Sequence, residues 1–136
     1  MPIKYDPPAG TVLLCNFATG FQPPEMVKRR PVVVISPRLR HRRGLCTVVP
    51  LSTTAPDNPQ PYHHELTLPV APPAPWDQQR VWVKADMLAT VAFERLDLFR
   101  TPRAPYGRRQ DVQVRLSPED LTAIRSCIAH AIGLLT

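Results

Sequence analysis

With 136 residues and 43% hydrophobic side chains, the chain has the size of one domain with its own core, needing no disulfide or metal to hold it together. Its net charge is +6 with a sequence pI near 9.8, and fourteen of its seventeen cations are arginine, which favours a polyanionic partner. No run approaches the roughly 18 apolar residues of a spanning helix, and the amino terminus lacks the apolar stretch of a secretion signal, so neither a membrane role nor export is expected and the location reads as cytoplasmic.

In chain order, residues 11–17 form a first strand, with Val12, Leu13, Leu14 and Phe17 apolar. A loop broken by Gly20, Pro23 and Pro24 carries Glu25 and then three successive cations, Lys28, Arg29 and Arg30. Pro31 and the β-branched run Val32 to Ile35 follow, the pattern of a central strand covered on both faces. Proline suits the first position of such a strand and drives the preceding residue towards an extended backbone. Arg30 is therefore expected at a rigid mouth, where a guanidinium can grip phosphate oxygens in a bidentate fork. A solvated charge run before a strand is the plainer alternative.

Residues 38–44 read as a polar hairpin tip carrying Arg38, Arg40, Arg42 and Arg43. No acidic residue lies between Met26 and Pro56, so the positive charge is concentrated there and suits nucleic acid phosphates. Residues 45–51 form the third strand, and Ser52, Thr53 and Thr54 place hydroxyls just past its end. Seven prolines between Pro56 and Pro75 mark an irregular excursion, interrupted by a short strand over residues 64–68. Residues 81–85 alternate as a further strand leading through Asp86 into residues 90–93, with residues 96–99 and 112–116 as short candidates. Ser117, Pro118, Glu119 and Asp120 are a helix start, and Leu121, Ile124, Ile128, Ala131, Ile132 and Leu135 recur at helical spacing on one face. The sum is a mainly β, α+β fold: a bent, partly open barrel of antiparallel strands closed by a carboxy-terminal helix.

Cys15, Cys46 and Cys127 are odd in number and widely spaced, so they read as small core residues of a reduced protein. No grouped ligand set exists for a metal, and no cofactor is expected. His63 and His64 are adjacent, so on a strand they point to opposite faces and cannot share a site. Trp76, Trp82, Tyr62 and Phe21 can stack on bases or serve as core residues.

Gly10, Val12, Asn16, Phe17, Glu25, the Arg30-Pro31-Val32 element, the Val49-Pro50-Leu51-Ser52 element, and Lys84 with Asp86, closed by the helix, together resemble the MazF/PemK family of toxin ribonucleases along nearly the whole chain. The resemblance implies an SH3-like barrel, a homodimer, sequence-specific and metal-independent cleavage of single-stranded RNA, and neutralisation by a cognate antitoxin with a disordered tail. It also implies Arg30 as catalytic arginine, Ser52 as catalytic hydroxyl in place of the usual threonine, a role for Glu25, and roles for Lys84 and Asp86. Some members carry a histidine where this chain has Pro24, so that role has no residue to take it.

Metal-free cleavage needs the 2′-hydroxyl to attack the adjacent phosphorus, with Arg30 clamping the developing charge and Ser52, aided by Thr53, donating a hydrogen bond. Asp86 or Glu25 then accepts the 2′-hydroxyl proton, with Asp86 favoured because burial beside an apolar strand raises a carboxyl pKa; an ion pair with a nearby arginine is the alternative for each. Lys28, Arg29, Lys84 and Arg40 are the expected RNA-binding cations. Two other classes stay open. One is a CcdB-like gyrase-poisoning toxin, whose Trp-Gly-Ile-like terminus is replaced here by Gly133 to Thr136, and the other is a non-catalytic nucleic-acid-binding barrel.

Overall fold

In the computed structural model, which describes residues 2–39, 41–101, 107 and 110–136, the β-branched run is a central strand. This strand, β2 (Arg29–Val34), lies between β1 (Val12–Asn16) and β3 (Leu45–Ser52), antiparallel to both. Val32, Val33 and Val34 are all fully buried because both faces of the sheet are covered. Val12, Leu14, Val33, Val49 and Leu51 face a core shared with the helix, whereas Leu13, Cys15, Val32, Val34, Cys46 and Val48 face a second core with Phe17, Val91 and Leu96. The strand begins at Arg29, two residues earlier than expected, and Pro31 sits inside it opposite Leu14 of β1.

The later strands are β4 (His63–Thr67), β5 (Arg80–Lys84), β6 (Ala89–Ala92), β7 (Leu96–Asp97), β8 (Phe99–Arg100) and β9 (Asp111–Val112). The sheet runs β4-β5-β3-β2-β1-β7, with β6 also on β3, and β8 pairs with β9 apart from it. β3 is what bends the sheet. Its first half, Leu45 to Val48, pairs with β6, and its last two residues, Leu51 and Ser52, pair with β5 along the same edge. On its other edge the ladder with β2 runs from Val34↔Val48 to Val32↔Pro50, next to Pro31. Proline has no N–H to give a ladder, so the pairing stops there and the end of β3 is free to follow β5. The result is a mostly antiparallel, bent sheet that does not close into a barrel.

One helix, α1 (Pro118–Ala131), starts as the sequence predicts: the Ser117 hydroxyl accepts the Asp120 N–H at 3.2 Å, and proline occupies the first turn. It packs against β4 and the 3-10 turn Ala85–Met87, burying Ile124 and Cys127. The predicted apolar face is only partly used. The helix ends at Ala131 with Ile132 as its cap, and Gly133 follows at a φ of +81°, so Ile132 and Leu135 leave the helical phase and stay exposed. Of the expected strand at 112–116, only Asp111–Val112 pairs as a strand, with one bridge from Thr11 to Arg115. Among the described residues no helix is long and apolar enough to cross a membrane.

Candidate functional site

The β2–β3 register determines which polar residues meet. Val34↔Val48, Val33↔Val49 and Val32↔Pro50 are the pairs of that ladder; carried on two residues past its end they would set Arg30 opposite Ser52, and Arg30 meets Leu51 and Thr53, the neighbours of Ser52, around one cavity. Ser52 is in turn paired with Trp82 of β5, and Trp82 with Glu65 of β4. Residues directly opposite one another share a face, so Ser52, Trp82 and Glu65 form one row across β3, β5 and β4, and Arg30 lies where that row would continue onto β2. Lys84 and His63, paired with each other, lie on the same face one row along. His64 is on the opposite face, as expected of adjacent strand residues.

Arg30 is half-buried, and its Nε is buried without a hydrogen-bond partner among the described residues. A buried donor left unpaired is costly; Arg42 Nε is in the same state, so what sets Arg30 apart is its place on the cavity it shares with Thr53. Ser52 is 8% exposed; its hydroxyl accepts the Thr54 N–H at 3.1 Å and lies 3.4 Å from the Thr54 carbonyl oxygen. That bond fixes the oxygen and leaves the hydroxyl proton with a long, weak acceptor, free to be given to a better one. Thr53 is exposed and joins Arg30, Pro31, Leu51, Trp76 and Gln78 around a narrow cavity of about 100 Å³.

The two candidate carboxylates come together elsewhere. Glu25, from the β1–β2 loop, and Asp86, from the 3-10 turn after β5, line a pocket of about 370 Å³ with Phe17, Phe21, Met26 and Met87, and that pocket shares no lining residue with the Arg30 cavity. Neither acid makes an ion pair among the described residues, so the ion-pair alternative is not what the fold does with them. Asp86 is exposed, not partly buried: the turn sends Ala85 into the core and Asp86 to solvent. The burial that favoured it over Glu25 is therefore missing.

The expected basic surface is divided in two. Lys28 and Arg29 are exposed and precede Arg30 at one end of β2, whereas Arg38, Arg42 and Arg43 follow the other end, six strand residues or about 20 Å away. Arg38 reaches Asp6 at 3.5 Å, and Arg42 is half-buried beside Cys46. Arg40 lies outside the described residues.

All three thiols are free and buried. Burial pushes Cys15 up to about 12 against the opposing charge of Arg95, Cys46 up to about 11 against that of Arg42, and Cys127 upwards as well. They are protonated at neutral pH and inert. The native protein should resist alkylation at pH 8 and take up three labels once unfolded; rapid labelling of the folded form would contradict this burial. A raised thiol pKa stabilises the fold fully below the unfolded value of 9.0 and progressively less as pH climbs towards 11 and 12. Among the described residues no three His, Cys, Asp or Glu side chains gather as a metal site.

Residues 9–132 match the model of the PemK-like, MazF-like toxins of type II toxin-antitoxin systems, and the chain belongs to that family. It is 35% identical to the YifN protein of Escherichia coli (strain K12) over 121 residues, 76% of this chain and 80% of that one. Among solved structures, the MazE-MazF complex (Form-II) of Deinococcus radiodurans is matched with a TM-score of 0.57 at 26% identity, over 97% of this chain and 100% of that one. An endoribonuclease from Mycobacterial species, solved in complex with its cognate antitoxin, is matched with a TM-score of 0.62 at 20% identity, over 96% and 99% of the two chains.

Proposed function

We propose that this protein is a toxin that cuts single-stranded RNA at specific sequences without a metal ion, by attack of a 2′-hydroxyl on the neighbouring phosphorus. One observation carries the proposal: in a toxin-family fold, Arg30, whose buried Nε has no partner among the described residues, shares a cavity with Leu51 and Thr53, the residues on either side of Ser52. The mycobacterial neighbour, an endoribonuclease, supports the same reading. As phosphorus becomes five-coordinate, negative charge grows on its equatorial oxygens. Arg30 clamps those oxygens, and Ser52 turns its proton from the Thr54 carbonyl towards them. Bound RNA spans the Arg30 cavity and the separate pocket of Asp86 and Glu25, and Asp86 takes the 2′-hydroxyl proton there. Lys28, Arg29, Thr53 and Lys84 hold the strand through its phosphates. As the 2′-oxygen bonds to phosphorus, the bond from phosphorus to the 5′-oxygen breaks and that oxygen takes a proton from Arg30, which regains one from solvent, so the products are a 2′,3′-cyclic phosphate and a 5′-hydroxyl end.

Long RNA incubated with the protein in EDTA should be cut at discrete sites carrying 5′-hydroxyl ends. Cleavage that appears only on adding magnesium would overturn the metal-free mechanism. RNA as substrate makes the cytoplasm the place of action. For a toxin of this family a cognate antitoxin follows, in line with the two antitoxin complexes matched above. An acidic, disordered antitoxin tail suits the basic patch at Lys28 to Arg30, where it competes with RNA on a homodimeric toxin. The CcdB-like and purely binding alternatives leave the Arg30 and Ser52 pairing without a use.

A further inference from the structure

Trp82 is a large apolar side chain with no core to fill. It is half-exposed on β5 and packs in neither of the two hydrophobic clusters, whereas Trp76 packs against the first of them. Among the described residues its indole makes no ring contact and its N–H has no hydrogen-bond partner. Val81 and Val83 on either side are buried, so β5 is anchored without it.

Its place in the sheet is specific. Trp82 is directly opposite Ser52, and the β2–β3 register carried on past its last pair would put Arg30 two strand spacings, or about 10 Å, away. That is the order of separation between a backbone phosphate and a neighbouring base in an open strand. On the far side of the row, Glu65 is opposite Trp82 and holds Arg80 at 3.1 Å, giving the indole a charged rim.

We propose that Trp82 is a stacking platform for one base of the bound RNA, next to the phosphate held by Arg30 and Ser52. This rests on the ribonuclease reading and adds to it a base-binding subsite. An aromatic plane beside a phosphate clamp is what holds an unpaired nucleotide from both its ends. A second copy of this chain is the poorer occupant, because covering Trp82 would also desolvate Glu65 in the same row and Arg30 nearby.

The test uses RNA spanning a mapped cut site, with the attacking 2′-hydroxyl replaced by hydrogen so that binding is read alone. Trp82→Leu, which keeps apolar bulk and removes the aromatic plane, should weaken binding about 5- to 150-fold, while Trp82→Phe stays within about threefold of wild type. A single abasic nucleotide beside the cut site should weaken wild type by a similar factor and leave the Leu variant almost unchanged, since one lost contact cannot be lost twice. Thermal midpoints should not separate the three proteins. Equal binding by all three, or abasic losses equal in wild type and Leu variant, would overturn the platform while cleavage by wild type still upholds the enzyme. A Leu variant that turns monomeric with unchanged RNA affinity assigns Trp82 to a protein interface and overturns it as well. Wild type that neither binds nor cuts RNA overturns both the functional reading and this subsite.

Discussion

Replacing Arg30 by alanine is expected to lower kcat on RNA about 10²- to 10³-fold, the usual loss when one preorganised donor to a developing oxyanion is removed. Stability should hardly change, because Arg30 makes no ion pair among the described residues and its buried Nε is already without a partner. Removing an unsatisfied buried donor relieves a cost and forfeits no bond. Lysine at this position should recover little, since a point charge cannot supply the planar fork. Arg43 is the control: it is exposed, at the opposite end of β2, and outside every described ion pair. Arg43→Ala should leave kcat alone and at most flatten the salt dependence of binding, by about 0.7 in log-log slope if one phosphate contact is lost. Equal loss of kcat in both variants would mean that the arginines act only as a diffuse field.

The division of labour between these two arginines was only half legible in the sequence. Composition and the proline before the valine run marked the stretch as a charged mouth on a buried strand, and β2 is such a strand. A run of cations reads as one patch in one dimension, however, and the strand inside it carries the second group to the other end of the sheet. The same limit hid the row through Ser52. That Ser52 faces Trp82 follows from the β3–β5 register, which depends on the β2–β3 ladder ending at Pro31 and Pro50, and that Arg30 lies near them depends on the same ladder bringing it to the cavity of Leu51 and Thr53. Hydrophobic alternation at Val81 and Val83 placed Trp82 on a strand but could not say that its neighbours would leave it outside both cores. The helix start is legible because capping is local, whereas the apolar face is shorter than its spacing suggests because the helix ends at Ala131, before Ile132, and Gly133 then turns the chain. Asp86 failed for a related reason. Its position after an apolar strand implied burial, but a 3-10 turn of three residues reverses which side of the chain meets solvent.

Asp86→Asn should lower kcat about 10²-fold with little change in KM, because asparagine keeps the shape and removes the proton acceptor, and general bases contribute about 10² to 10⁴. The side chain is exposed and has no ion-pair or hydrogen-bond partner among the described residues, so little structural support goes with its charge. Glu25→Gln should cost less. Glu25 is on the β1–β2 loop, across the shared pocket, whereas Asp86 is two residues from Lys84 on the strand that carries the Ser52 partner. The double variant separates the roles. If Asp86 takes the proton and Glu25 only orients the strand, the two losses multiply; if both act on one proton, the double variant is no worse than Asp86→Asn alone. A double variant that retains more than about a third of wild-type kcat would remove both carboxylates from the reaction and leave Arg30, Ser52 and solvent to carry the proton transfer.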